Sequence, residues 1–164
     1  MSPFRTTAFA ATVAVVALFP PAASGTEIRG AGTVRPLAPG ACQRVAAPHP
    51  LVREDCEGVQ EAFTGLLRST AAAMADQRSW FDVASGRAWF SGTERFVGCV
   101  GDRCGALTFR FRGSFVADLS SSTLRGGRTA VVTRGWGGLT GVTGTVVQRF
   151  GHRAGYVATL QLRG

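Results

Sequence analysis

Leu107-Thr-Phe-Arg-Phe-Arg112 alternates apolar and charged residues with a period of two. In a strand, that period sends Leu107, Phe109 and Phe111 to a buried face and Arg110 and Arg112 to water. Residues 87–100 read as a longer strand interrupted at Gly92, with Ala88, Phe90, Glu94 and Phe96 sharing one side. Residues 129–134, 143–150 and 156–163 have the same strand character. Turn signals separate these runs: Gly101-Asp102, Gly113-Ser114, Gly126-Gly127, the glycine-rich stretch 135–141, and Gly151. Strands joined by tight glycine turns, with no long helical segment, predict an all-β domain built from one antiparallel sheet. About eight strands fit between residue 58 and the C-terminus. A barrel is expected over a sandwich, because closure removes exposed edges.

Two stretches are less regular. In residues 59–77, Val59, Ala62, Phe63, Leu66 and Leu67 fit a helical stripe, and Ala71-Ala-Ala-Met-Ala75 favours helix. Gly65 interrupts that stripe, and the expectation is strand. Residues 25–57 are rich in Pro, Gly and Ala, and prolines at that density oppose both helix and central strand. They predict an extended lead-in to a barrel domain at 58–164.

The first 24 residues read as an export signal. Arg5 supplies the positive end, residues 8–19 form an apolar run too short to span a bilayer, and Ala22-Ala-Ser24 offers a cleavage site. No later segment has the length and purity of a membrane span. A secreted, extracellular protein is expected, and export bears on the cysteines. Cys42, Cys56, Cys99 and Cys104 all follow the signal, and four thiols in an oxidising compartment suggest two disulfides. The pairings Cys42–Cys56 and Cys99–Cys104 are favoured because each is local in the chain. The first closes a loop worth roughly 3 kcal/mol on the chain-entropy model. A zinc site joining these thiols to His49 or His152 matches no common ligand spacing, so neither metal nor cofactor is expected.

Composition adds a net charge of +8, carried by 18 basic residues that are all arginine. There is no Lys, no Asn and one isoleucine, a bias that looks like GC-rich coding. Along the chain the arginines stand singly rather than in runs, which argues against a nucleic-acid partner. An anionic polymer of the cell envelope, attracted by charge alone, is the more reasonable macromolecule, and the default reading is a solvated basic surface with no partner. Twenty-two glycines also argue against a helical bundle.

Glycine recurs at 135, 138, 141 and 144. The stretch is neither G-x-G-x-x-G nor a P-loop, so it marks bulges or a tight bend rather than a phosphate cradle. With Phe63-Thr-Gly-Leu66, Gly92-Thr-Glu-Arg-Phe-Val-Gly98, Gly105-Ala-Leu-Thr-Phe109 and Gly138-Leu-Thr-Gly-Val-Thr-Gly144, it resembles the allene oxide cyclase-like barrels, related to the dirigent fold. The likeness is greatest to a bacterial family of unknown function within that group. It spans roughly residues 58–147 and implies an eight-stranded antiparallel barrel. The plant cyclases of that group are thought to rearrange a fatty-acid epoxide with a polar set that includes an Asn. This chain has none, so that arrangement does not carry over.

Among single residues, Glu94 is the most informative. If Phe90 and Phe96 face the interior, Glu94 does too, and a carboxylate there has a raised pKa. It reads as a polar anchor for a ligand, as a general acid or base, or as an interior Glu paired with an Arg. Phe90, Phe96, Phe109, Phe111 and Trp136 either line a ligand cavity or fill the barrel. His49, His152 and Ser120–Ser122 have no nucleophile elbow around them. The leading expectation is non-catalytic binding of a small lipophilic molecule inside the barrel. The alternatives are an isomerase or cyclase in the same cavity, and adhesion to anionic envelope polymers through surface arginines.

Overall fold

The structure, a computed structural model, describes residues 25–118, 123–151 and 154–163. The expected signal peptide, Ser120–Ser122, His152 and Arg153 lie outside the described residues. Ten strands make up the fold: β1 (Thr26–Ala38), β2 (Ala41–Val45), β3 (Leu51–Gly65), β4 (Leu67–Ser69), β5 (Ala73–Asp82), β6 (Arg87–Val100), β7 (Arg103–Asp118), β8 (Thr123–Gly137), β9 (Thr143–Phe150) and β10 (Gly155–Leu162). All pair antiparallel in the order β1-β10-β9-β8-β7-β6-β5-β3, and β1 also pairs with β3. That second pairing closes eight strands into the expected ring. β2 lies beside β3 as a hairpin, and β4 pairs with β6. Residues 59–77 are strand, as expected, apart from Leu66 and residues 70–72, which link β3, β4 and β5. β3 ends at Gly65 with φ near +94°, where a side chain would run into the Ala31 carbonyl.

Residues 25–57 are not the extended lead-in that their prolines predict. Thr26 to Gly32 pair with β10, and Gly32 to Ala38 pair with β3, so β1 is a stave of the ring. Without it, β3 and β10 would each present an open edge. Pro36 is tolerated because the register shifts between Pro36 and Ala38, a bulge position where a missing N–H costs little. The remaining prolines of the segment stand at turns or beside strand ends.

Alternation decides what fills the ring. Phe90, Phe96, Leu107, Phe109 and Phe111 are all buried, and two interior glycines make room for rings on the facing strand. Gly92 lies opposite Phe111, and Gly113 opposite Phe90; a Cβ on either would come within 2.7 Å of the facing ring. The aromatics form two groups. One is Phe63, Phe96, Phe109 and Tyr156, and the other is Phe90, Phe111, Phe115 and Phe150, with centroids 5.7–6.4 Å apart. The glycine-rich stretch after β8 is a tight turn, as expected. It tucks Leu139 and Val142 into the core and so plugs one end of the ring.

Both expected cysteine pairs are bonded. Cys42–Cys56 joins β2 to β3, and Cys99–Cys104 joins β6 to β7; each pair sits directly cross-strand with Cα atoms 4.0 Å apart.

Candidate functional site

Between the two aromatic groups lies a polar layer. Glu61 comes from β3, Glu94 from β6, Arg128 from β8 and Gln148 from β9. Strand parity aims all four inward: Arg128 shares a face with Ala130 and Val132, and Gln148 with Val146 and Phe150. Arg128 is the hub. Its Nη2 donates to Glu61 Oε2 at 2.5 Å and reaches Glu94 Oε2 at 3.1 Å, while its Nε donates to Gln148 Oε1 at 2.6 Å. Its guanidinium also lies over the Phe111 ring, 4.9 Å from the centroid.

Glu94 is 1% exposed, and its Oε1 has no hydrogen-bond partner. Burial pushes its carboxyl up to about 7; the Arg128 cation opposes that shift and the neighbouring Glu61 adds to it. Burial, reinforced by the Glu61 carboxylate across the same guanidinium, is why Glu94 holds its proton.

Such a carboxyl has a suitable pKa for proton transfer but no access to a reactant. The gap bounded by Phe63, Glu94, Phe109, Arg128 and Gln148 is too narrow for a water molecule. Phe90, Phe96, Phe109 and Phe111 are themselves core. The expected lipophilic ligand therefore finds no room beside Glu94, and the polar layer acts as a cross-brace between β3, β6, β8 and β9. Trp136 does not join the interior set. The β7–β8 register shifts after Phe109, where Val132 pairs with Phe109 but Arg134 with Thr108. The extra residue reverses parity, so Trp136 is outside, 38% exposed, with Arg134 stacked on it at 5.0 Å.

The arginines, scattered in sequence, are gathered by the strand order. Arg87, Arg95, Arg110, Arg112, Arg125, Arg134 and Arg149 are all exposed along the outer face of β6 to β9. Over the same span the acidic residues are buried Glu94, Asp102 in the β6–β7 turn, and Asp118 at the end of β7. Six of the ten acidic residues lie on β3 and β5 instead, where Asp55 pairs with Arg53 at 2.6 Å and with Arg78 at 3.5 Å. The Arg53 guanidinium beside Asp55 holds that carboxyl below its ordinary range. Among the described residues, the ion-paired arginines are Arg53, Arg78 and Arg128.

The basic face also carries a depression of about 600 Å³ between Trp89 and Arg149, with Arg112, Ser114 and Thr129 in its lining. Sequence reasoning identified neither this face nor Arg128, Glu61 and Gln148. Arg128 and Gln148 had a signal in the alternations Arg128-x-Ala130-x-Val132 and Val146-x-Gln148-x-Phe150. Cys42, Glu54 and Cys56 lie within 4.8 Å of one another, but the disulfide consumes both thiols. No helix among the described residues is long and apolar enough to cross a membrane.

Residues 54–161 match the family model described as "Protein of unknown function (DUF3224)". Among solved structures, the chain resembles a protein of unknown function from the same family in Shewanella oneidensis MR-1. The TM-score is 0.59 at 18% identity, over 85% of this chain and 98% of that one, a likeness of fold. No curated protein matches the chain.

Proposed function

The chain belongs to the DUF3224 family, a family of unknown function, and we propose that it is a secreted, non-catalytic binding barrel that engages an anionic polymer of the cell envelope through the outer face of β6 to β9. One observation carries this reading: the strand order collects exposed arginines on that face, while six of the ten acidic residues lie on β3 and β5. A one-signed surface of this kind attracts a polyanion over the range that salt permits. The interior supports neither of the other readings, a bound lipophile or an isomerase, because the space around Glu94 is filled. Two bonded cysteine pairs favour an oxidising compartment and so support export. The same reading takes the ring as an allene oxide cyclase-like barrel, supported by its closed eight-strand order and the Gly92–Gly98 motif.

The test is retention on immobilised polyphosphate. Binding should be strong at low salt and fade as the Debye length shrinks from about 30 Å at 0.01 M to about 8 Å at 0.15 M. The triple change Arg110→Glu, Arg112→Glu and Arg134→Glu should abolish it with the fold intact by circular dichroism. Undiminished retention of that variant would sink the reading. A small molecule released from the native protein on solvent extraction would return the ligand to the interior. Export is checked separately, by an intact mass from culture medium that lacks residues 1–24.

A further inference from the structure

We infer that the depression between Trp89 and Arg149 is a subsite for one acidic sugar ring of a polysaccharide, an inference that rests on the outer-face reading and gives it a substrate class. Strand register builds the subsite. Trp89 pairs with Ser114, Ser114 with Gly127, and Gly127 with Arg149, so these four residues lie abreast on β6, β7, β8 and β9. The two middle positions carry a hydroxymethyl group and a hydrogen, which leaves a low floor between an indole and a guanidinium. Three strand spacings of about 4.8 Å separate the two walls at the backbone, about 14 Å in all. After the two side chains reach inward, the remaining width suits a single ring with its substituents. One register step along, Ser91, Arg112 and Thr129 lie abreast and add two hydroxyls and a second cation.

Each group matches part of an acidic sugar. An indole face packs against the C–H face of a pyranose, a contact that is apolar in body yet tolerates water at its edge. The Ser91, Ser114 and Thr129 hydroxyls both donate and accept, as sugar hydroxyls require. Arg112 and Arg149 present the planar fork that grips a carboxylate or sulfate. Trp89 is 41% exposed and has no aromatic or cationic partner among the described residues. Its cross-strand neighbour Trp80 also lines the depression, but carries Arg53 over its ring, 5.9 Å from the centroid. A single free platform flanked by hydroxyls favours a sugar over a single-stranded nucleic acid, which stacks successive bases on several platforms.

The experiment titrates the folded, disulfide-intact protein with tetragalacturonate, followed by tryptophan fluorescence and calorimetry. Cellotetraose is the neutral control and a thymidine octanucleotide the nucleic-acid control. Expected is binding of tetragalacturonate that Trp89→Ala and Arg149→Ala each weaken by about tenfold or more, with Trp89→Phe retaining most of it and cellotetraose binding far more weakly. A heparin-derived tetrasaccharide with the same dependence on Trp89 would support sulfate as well as carboxylate. Polyphosphate retention should survive Trp89→Ala, because it depends on charge alone. If tetragalacturonate binding ignores Trp89→Ala while polyphosphate is still retained, the subsite is wrong and the outer-face reading stands. If the wild-type protein takes up neither probe, both are wrong. If the octanucleotide binds more tightly and with the same need for Trp89, the occupant is a nucleic acid and the sugar assignment is overturned.

Discussion

Strands β6 to β9 are built twice over, once for each face, from alternate residues of the same segments. On the inner face a charge is tolerated only inside a network: Arg128 is shared among Glu61, Glu94, Gln148 and the Phe111 ring. On the outer face, Arg110, Arg112 and Arg149 stand exposed with no ion-pair partner among the described residues. The same side chain therefore does opposite work on the two faces of one sheet. Inside, it fixes the packing of four strands and leaves no opening; outside, it builds a field with little effect on the fold.

The sharpest way to break this contrast is to remove the inner arginine. Arg128→Met strips Glu61 and Glu94 of their shared cation and should cost about 3–5 kcal/mol at neutral pH, read from urea unfolding. Adding Glu94→Gln to that variant should change stability little further at neutral pH, since without the Arg128 cation the buried Glu94 carboxyl already holds its proton. The single Glu94→Gln change tests the same layer through pH. Because the folded protein holds the Glu94 proton up to about 7, against an ordinary value of 4.5, it binds more protons than the unfolded chain between those limits. Stability from this group is then full below pH 4.5 and falls as pH rises through about 7, by on the order of 3 kcal/mol. Glu94→Gln should flatten that slope, and an unchanged slope would show that another group is responsible.

A smaller effect is expected at Gly113, where a Cβ would come within 2.5 Å of Phe90 Cζ and of the Gly127 carbonyl oxygen. Gly113→Ala should cost about 1–3 kcal/mol as overpacking, measured by thermal unfolding. Smallest of all, Arg110→Ser and Arg112→Ser should each alter stability by less than about 0.5 kcal/mol while lowering retention on polyphosphate. If either outer change destabilised the fold as much as Arg128→Met, the division between the faces would fail.

The two faces also differed in how well they could be read from sequence. The inner face was legible where parity ran unbroken: Phe90, Glu94, Phe96, Phe109 and Phe111 are all buried, as their spacing predicts. Parity broke at the β7–β8 bulge, which no Gly or Pro marks, so Trp136 was assigned to the wrong side. Arg128 escaped notice because an isolated arginine reads as solvated unless its alternation with Ala130 and Val132 is weighed first. Prolines concealed β1, because local propensity opposes a strand that two waiting edges require. The outer basic face had no one-dimensional signal at all. Residues such as Arg112 and Arg149 become neighbours through the order of strands, and that order is a property of the closed ring.

The seam between β1 and β10 joins the first and last of the described strands: Thr26 lies opposite Leu162, and Gln161 donates to Glu27 across 134 residues at 2.7 Å. Loop closure over such a separation is slow, and topologies that depend on it fold late. A chain threaded through an export channel from its N-terminus cannot form this seam until its last strand has emerged. Under the export proposed above, the chain would therefore cross as an open, unclosed polymer and complete its sheet only on the far side, where its two cross-strand cysteine pairs would meet an oxidising compartment.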